Sequence, residues 1–458
     1  MERRYDIILV TGEPYADHPF SGVGIIKKVL EDKGFSVGIV ETPRWDRDDD
    51  FKKLGKPRLF FGVTSGSMDS LLLNYTPLKK KRVDDEFSRM SYRVPDRAVI
   101  VYCNMLRKLF KETPLVIAGP ESSLRRFAHY DYWDNRVRRS ILPDSRADIL
   151  VYGWGELQAA EIARRLDQKL DQKEGLEGIP GTCIILKTLP PGATELPPYE
   201  TVIKDPLQFC RMQTLFNNNA LLAQKHAGRY VVQFPSMPYT SKDLDYIYSL
   251  SYSRRIPSHY PEFRVVEWSV LTHRGCFGAC NFCSIHANSG KLLISRSMKS
   301  ILDEVRYITT LPGFSGTIEF SGASANMYGM DCAEAAKCSG ECMSCSRLDT
   351  SHHALITLLR EARKIPGVQK IVIRSGVRYD LALKSPPYMR ELIAHHCGRT
   401  LMIAPEHLTP SVLQLMNKHD DHLSEFIDLF QNAARREKKY VELSYYLMVG
   451  HPGCTVAN

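Results

Sequence analysis

The chain has 458 residues, 43% of them hydrophobic and 25% charged, with a formal net charge of +9. That length calls for roughly two to four domains rather than one core, and the composition is that of a globular protein rather than a disordered or fibrous one. No run of about 18 apolar residues occurs, and the start Met1-Glu-Arg-Arg-Tyr-Asp6 lacks the apolar core of a secretion signal, so a cytoplasmic protein with no membrane association is expected.

Residues 1–187 alternate apolar strand candidates with amphipathic helix candidates. Strands are expected at Asp6–Val10, Ser36–Val40, Leu59–Val63, Leu115–Ala118, Ile149–Tyr152 and Cys183–Leu186, and helices at Gly24–Lys33, Arg97–Lys111 and Gly155–Leu170. Such alternation builds a mostly parallel α/β sheet with helices on both faces. Ligands of such sheets bind beyond the carboxyl ends of the strands. The Pro- and Gly-rich stretch Leu189–Pro198 opens a linker and connecting arm expected over 188–262, because proline extends and stiffens a chain. Within it a helix is expected from Pro206 to Gln224 and a strand at Tyr230–Phe234. From 263 to 458 a second β/α series is expected. Its strands fall at Val266–Leu271, Thr317–Phe320, Lys370–Arg374, Thr400–Ile403 and Val441–Met448, and its helices at Met298–Thr310, His353–Lys364, Pro387–His396 and His422–Glu437. This spacing fits βα units, hence a partial (βα) barrel, with a Cys-rich insertion over 322–350.

The sequence contains 12 cysteines. In a reducing compartment they argue against disulfides, and their placement argues for metal. The first group, Cys276-Phe-Gly-Ala-Cys280-Asn-Phe-Cys283, follows an apolar run with C-x3-C-x2-C spacing. Three close-set thiolates suit an iron–sulfur cube and leave one iron without a protein ligand. A zinc knuckle with His273 or His286 as fourth ligand is the alternative that spacing leaves open. The second group, Cys332, Cys338, Cys342 and Cys345, repeats the same spacing in its last three members. Four thiolates would close a site, either zinc or a second Fe-S cluster. Cys103, Cys183, Cys210, Cys397 and Cys454 are scattered and read as inert thiols. Short basic runs such as Lys79-Lys-Lys-Arg82 read as solvated faces, while the positive balance permits a nucleic acid partner.

The text around the first group is more specific than its spacing. Thr272-His-Arg-Gly-Cys-Phe-Gly-Ala-Cys-Asn-Phe-Cys-Ser-Ile-His286 carries the signature of radical S-adenosylmethionine (radical SAM) enzymes. Together with Tyr15-Ala-Asp-His-Pro19, Ala128-His-Tyr-Asp-Tyr-Trp133, Ala325-Asn-Met-Tyr328, Ser375-Gly-Val-Arg-Tyr-Asp-Leu381, Ala404-Pro-Glu-His407 and Gly450-His-Pro-Gly453 it resembles the YgiQ subgroup over nearly the whole chain. The resemblance implies that Cys276, Cys280 and Cys283 hold a [4Fe-4S] cluster whose open iron chelates S-adenosylmethionine. One electron then yields methionine and a 5′-deoxyadenosyl radical, which takes hydrogen from a substrate the sequence does not name. It implies a reductant such as flavodoxin or ferredoxin, and members that continue past position 458. Ser321, Gly322 and Ala323 match the turn at the methionine end of the cofactor, without the Glu that many relatives carry there. Arg374 and Ser375 match carboxylate or ribose contacts. Gly450 and Gly453 match the adenine-side turn, with Cys454 where many relatives have Glu.

The amino-terminal sheet resembles cobalamin-binding modules, whose diagnostic is Asp-x-His-x-x-Gly. Here Asp17 and His18 are adjacent, ahead of Gly22. The loop holding Arg125, Arg126 and His129–Trp133 is a candidate for substrate recognition. Two rival readings stand beside the radical enzyme: an RNA-modifying enzyme of methylthiotransferase-like layout, and a non-catalytic zinc-stabilised binding protein.

Overall fold

The computed structural model describes residues 5–168, 175–335, 338, 340–374, 376–418 and 422–456. The chain folds into two compact units, one of residues up to Pro238 with Leu250–Glu267, the other of Tyr239–Ser249 with Trp268 onward. No helix among the described residues is long and apolar enough to cross a membrane.

In the first unit, β1 (Ile7–Thr11), β2 (Val37–Glu41), β3 (Phe60–Thr64), β4 (Leu115–Ile117) and, after a hairpin of β5 (His129–Asp131) and β6 (Arg136–Arg138), β7 (Ile149–Val151) form a parallel centre in the order β2-β1-β3-β4-β7. Every residue of β1 is buried, as a parallel strand covered on both faces requires. Its Ile8 and Val10 pack into a core with Val99, Tyr102 and Leu106 of helix Ala98–Leu109. Ile7 and Leu9 pack into the opposite core with Leu30 and Ile162, from helices Gly22–Asp32 and Glu156–Asp167. Strand order reverses between β1 and β3, which makes the crevice beyond their carboxyl ends the switch point of this sheet.

The expectation of a linker over 188–262 is corrected. After β8 (Thr182–Leu186), strands β9 (Thr194–Leu196), β10 (Leu222–His226) and β11 (Arg229–Gln233) extend the sheet to nine in the order β7-β8-β11-β10-β9. The helix begun at Pro206 ends at Leu215 instead of reaching Gln224. Asn217-Asn-Asn219 breaks it, since asparagine side chains compete with the helical backbone, and Leu222–Gln224 then pair with Val231–Gln233. The arm is also structured: helix Ser241–Ser249 buries Leu244, Ile247 and Tyr248 in the second unit.

The second unit contains β12 (Ser269–Leu271), β13 (His273–Gly275), β14 (Leu293–Ser295), β15 (Thr317–Ser321), β16 (Lys370–Val372), β17 (Thr400–Glu406) and β18 (Glu442–Leu447). β12, β15 and β16 form one parallel sheet and β17 and β18 a parallel pair, and a parallel bridge links Val377 to Ile403. Helices Met298–Thr309, His353–Arg363 and Leu423–Arg436 pack Ile301, Leu355, Leu359, Phe426 and Phe430 onto Val270, Ile318, Phe320, Ile371 and Leu401. The result is a partial βα barrel. Along β15, Ile318 and Phe320 are buried while Thr317, Glu319 and Ser321 are half-buried, so the latter three share the face turned away from the helices. Val266 lies in a 3-10 helix, Pro261–Val266, so the first strand begins at Ser269.

Candidate active site

β13 leads into the first cysteine group. At Gly275, with φ +83°, a Cβ would fall 1.8 Å from Leu292 O, so the backbone there requires glycine. The thiols of Cys276, Cys280 and Cys283 are partly buried and lie within electrostatic reach of one another. The Gly278 N–H donates to Cys276 Sγ at 3.3 Å. The loop is strapped to helix Pro410–Leu415 and the residues just after it. Asn281 N donates to Met416 O and Asn281 Nδ2 to Leu415 O, while Asn417 Nδ2 donates to Ala279 O, each at 2.9 Å. Phe282, the aromatic before the third cysteine, packs on Val412, Leu413 and Met416.

Burial pushes the Cys276 and Cys280 thiols up. The Gly278 amide and the Arg378 guanidinium oppose it at Cys276, and Arg378 and Lys418 oppose it at Cys280. Arg378 was missed in the sequence. Its guanidinium pairs with Asp380, Nε to Oδ1 at 3.0 Å, and its backbone is clamped by Asn326 at 2.8 and 3.0 Å. A Cβ on Gly278 would lie 2.4 Å from Arg378 Nη1, so the cation rests on the cysteine loop itself. The one signal available was the Arg-Tyr-Asp run inside Ser375–Leu381.

Ser321, Gly322 and Ala323 follow β15 directly. Thr272 N and Oγ1 donate to Ser321 O at 3.0 and 3.1 Å, and Ser321 Oγ is buried without a hydrogen-bond partner. A Cβ on Gly322 would fall 2.2 Å from the His273 ring. His273 is fully buried, and burial holds its pKa down to about 4, so the imidazole is neutral. Arg374 is exposed, with Nε 3.6 Å from Glu319 Oε2, and Ser375 lies outside the described residues. Gly450 and Gly453 both have positive φ, and a Cβ on Gly453 would meet Leu415 Cδ1 at 2.5 Å. That turn therefore abuts the same helix that straps the cysteine loop. Sequence reasoning also missed two carboxylates. Burial pushes up Glu319, which Arg374 opposes, and Glu406, which Lys418 opposes from 3.7 Å. Glu406 has φ +69° beside a bulge in β17, a strained position of the kind that collects at functional sites. Glu319, set between Ile318 and Phe320, and Glu406, which ends β17 after Leu401–Pro405, were the legible signs.

Of the second group, Cys332 and Cys338 are exposed and Cys342 and Cys345 partly buried. Among the described residues no three His, Cys, Asp or Glu side chains converge on single-ion geometry. The donor set of the first loop nevertheless fits an iron–sulfur cluster: mutually close thiols, an amide aimed at sulfur and a cation against the loop.

In the first unit, the expected recognition loop is largely self-paired. Arg126 is fully buried between the rings of Tyr152 and Phe216 and donates to Gln233 Oε1 at 2.8 Å, so it cannot face a substrate. Arg125 pairs with Asp69, Arg97 with Asp131, and His129–Asp131 form β5. His18 is also fully buried. Its Nδ1 accepts from Phe20 N at 3.1 Å, and its Nε2 lies 3.1 Å from Glu267 O and 3.3 Å from Arg254 Nη1. Both ring nitrogens are thus engaged, and His18 does not offer itself as an axial cobalt ligand. At the switch point Glu13 accepts from Ser67 N and Oγ at 2.9 and 2.7 Å.

Comparison with known proteins identifies the family. The family described as Radical SAM N-terminal matches residues 2–272, and the Radical SAM superfamily matches residues 270–457. The UPF0313 protein of Methanosarcina mazei is 40% identical over 515 residues, covering 99% of this chain and 82% of the relative. That of Geobacter sulfurreducens is 40% identical over 477 residues, covering 98% and 78%. Among solved structures, the radical S-adenosylmethionine methyltransferase TsrM from Kitasatospora setae, with cobalamin and a [4Fe-4S] cluster bound, superposes with a TM-score of 0.54 at 17% identity over 99% of this chain and 71% of that one. The cobalamin-dependent S-adenosylmethionine radical enzyme OxsB gives 0.54 at 9% identity over 97% of this chain and 49% of that one. At those identities the likeness is one of fold. Superfamily membership brings a [4Fe-4S] cluster and S-adenosylmethionine with it, along with the need for a reductant and a substrate, and it sets aside the non-catalytic zinc reading. The chain belongs to the radical SAM superfamily of enzymes, within the UPF0313 group that corresponds to the YgiQ type.

Proposed function

We propose that Cys276, Cys280 and Cys283 are the ligands of the [4Fe-4S] cluster, and that the face of β15 and the turns after β15 and β18 bind S-adenosylmethionine. The observation that carries this reading is the Arg378 cation lying against a loop of three mutually close thiols. When bound, the two cofactors supply a 5′-deoxyadenosyl radical that takes a hydrogen atom from the substrate. The protein's share is binding, orientation and exclusion of water. Arg378 balances the negative charge of the thiolates. Gly322, which has no room for a side chain beside His273, lets the backbone of Ser321–Ala323 approach the methionine end of the cofactor. Glu319 and Arg374, 3.6 Å apart, offer opposite charges to an amino acid's ammonium and carboxylate. Glu319 thereby takes the role of the Glu absent from the turn. Gly450 and Gly453 serve the adenine side. The electron comes from a low-potential donor of the flavodoxin or ferredoxin class.

Cobalamin enters this reading with no step of its own, because His18 is internally bonded. Nor does any particular contact favour an RNA substrate over a small molecule. The test is anaerobic reconstitution with iron and sulfide. Reduced wild-type protein is expected to convert S-adenosylmethionine to 5′-deoxyadenosine and methionine, and the Cys280→Ala variant to lose that activity entirely. A colourless protein that retains zinc after reconstitution would sink the assignment.

A further inference from the structure

Outside the first loop, the densest group of metal-ligating side chains is Cys332, Cys338, Cys342 and Cys345, and three observations bear on it. The first is local. Gly340 N–H donates to Cys338 Sγ at 3.3 Å, as Gly278 N–H does to Cys276 Sγ at 3.3 Å, each from two positions further along. Cys345 receives the amide of Arg347, again two positions along, and its guanidinium as well. Each group thus has a backbone amide aimed at a sulfur two positions back. The second is proximity. Cys342 lies within electrostatic reach of Cys332, Cys338 and Cys345, with Lys291 and Arg347 beside the group.

The third is the shared footing of the two groups. Cys276 and Cys342 both pack against one apolar cluster of Phe277, Leu293, Met327, Met330 and Leu381. The segment entering Cys332 is tied to β14, where Gly329 N donates to Ser295 Oγ at 2.9 Å and Ser295 N to the Asp331 carboxylate. The partner of β14 is β13, the strand that leads into Cys276. One two-stranded sheet therefore anchors the entry to each group.

We propose that Cys332, Cys338, Cys342 and Cys345 hold a second iron–sulfur cluster, closed by four thiolates and sharing one apolar layer with the first. Zinc also accepts four thiolates, but a redox-inert ion gains nothing from adjacency to a redox site, and the C-x3-C-x2-C run of Cys338–Cys345 repeats the spacing of the first loop. With no open iron the second cluster does not chelate S-adenosylmethionine. It relays charge: it loses one electron as the first cluster gains one, no bond forms or breaks, and the external one-electron donor restores it.

The proposal is separable from the assignment of the first loop. Anaerobically reconstituted wild type is expected to hold about eight iron per chain. The triple variant Cys276→Ala, Cys280→Ala, Cys283→Ala is expected to hold about four, in a cluster whose reduced electron paramagnetic resonance spectrum ignores added S-adenosylmethionine. The Cys338→Ser, Cys342→Ser variant is expected to hold about four as well, in a cluster whose spectrum responds to it. A triple variant with no iron, or with one zinc per chain, overturns the proposal and leaves the first site standing. Should the triple variant not fold, an iron content in Cys338→Ser, Cys342→Ser equal to wild type overturns it instead. If the triple variant keeps its cluster while wild type shows no response to S-adenosylmethionine, the first assignment fails and this one holds.

Discussion

Arg378 rests its guanidinium on a loop that must carry negative charge, and the energetics of that contact can be tested at a single residue. A cluster on three thiolates becomes more negative when reduced, so a neighbouring cation stabilises the reduced form more than the oxidised one. Removing the cation should therefore lower the reduction potential. For Arg378→Met the expected drop is on the order of 50 mV or more, since charges a few Å apart interact by roughly 1–4 kcal/mol at a protein surface and a tenfold change in a one-electron equilibrium is about 59 mV. Arg378→Lys should recover part of the shift, because it keeps a charge but loses the forked bond to Asp380. A spectroscopic redox titration of the three proteins checks this. An unshifted potential in Arg378→Met would reduce Arg378 to a prop for Asn326 and Asp380. Arg378 also shows where sequence reading stops. The three cysteines sit on one loop and declare themselves by spacing, whereas the arginine reaches them from a distant segment and only folding reveals the contact. Glu319 is legible in Thr-Ile-Glu-Phe-Ser as a carboxylate between two apolar residues, but its approach to Arg374 comes only with the pairing of β15 and β16.

Among elements, those with strong periodicity were legible and those with polar strands were not. The five apolar parallel strands of the first unit and the helices that cover them were read within a few residues of their positions, because each buries a regular apolar face. The strand Thr194–Leu196 and the hairpin His129–Asp131 with Arg136–Arg138 have no such pattern and lie beside Pro-rich or charged text. Tertiary pairing, rather than propensity, makes them strands. The junction after β14 depends on a buried ion pair in the same hidden way. Arg296 donates to the Glu304 carboxylate and, at 2.8 Å, to Leu271 O, and its guanidinium lies 4.4 Å from the centre of the Tyr248 ring. It thus joins β12, helix Met298–Thr309 and helix Ser241–Ser249. Glu304→Leu strands a buried guanidinium and should destabilise the second unit by about 3–5 kcal/mol, and Arg296→Met leaves the carboxylate unpaired in the same way. The double variant Arg296→Met, Glu304→Leu should cost less than either single change, because no charge is left unpaired. Denaturant midpoints of the four proteins measure this, and additive losses would deny that the pair acts as a unit.

At the scale of the whole molecule, the buried histidines set an acid limit on stability. Burial holds His18 down to about 3 and His273, His352 and His396 down to about 4, against about 6.5 in an unfolded chain. Between those values the unfolded chain takes up protons that the folded chain refuses. Stability therefore falls as pH drops from about 6.5, and the neutral imidazoles contribute fully only above it. Buried Glu13 and Glu121 and half-buried Glu319 and Glu406, whose carboxyls are pushed up by desolvation, pull the other way, since the folded chain holds their protons more tightly. The net slope mixes both classes, but a difference between two proteins isolates one histidine. His396 is the one to remove: it is fully buried, with Nδ1 2.9 Å from Ile371 O and Nε2 3.4 Å from Glu391 Oε1, and it touches neither cysteine group. The variant His396→Gln should be less stable than wild type at pH 7.5. Its stability should also depend less steeply on pH between 6.5 and 5, by about 1 kcal/mol per pH unit, the weight of one proton. Urea midpoints taken at half-unit steps across that window give both slopes. Parallel slopes would mean that His396 binds its proton as readily folded as unfolded, and that its burial among Ile371, Glu391 and the packed helix does not exclude the charge.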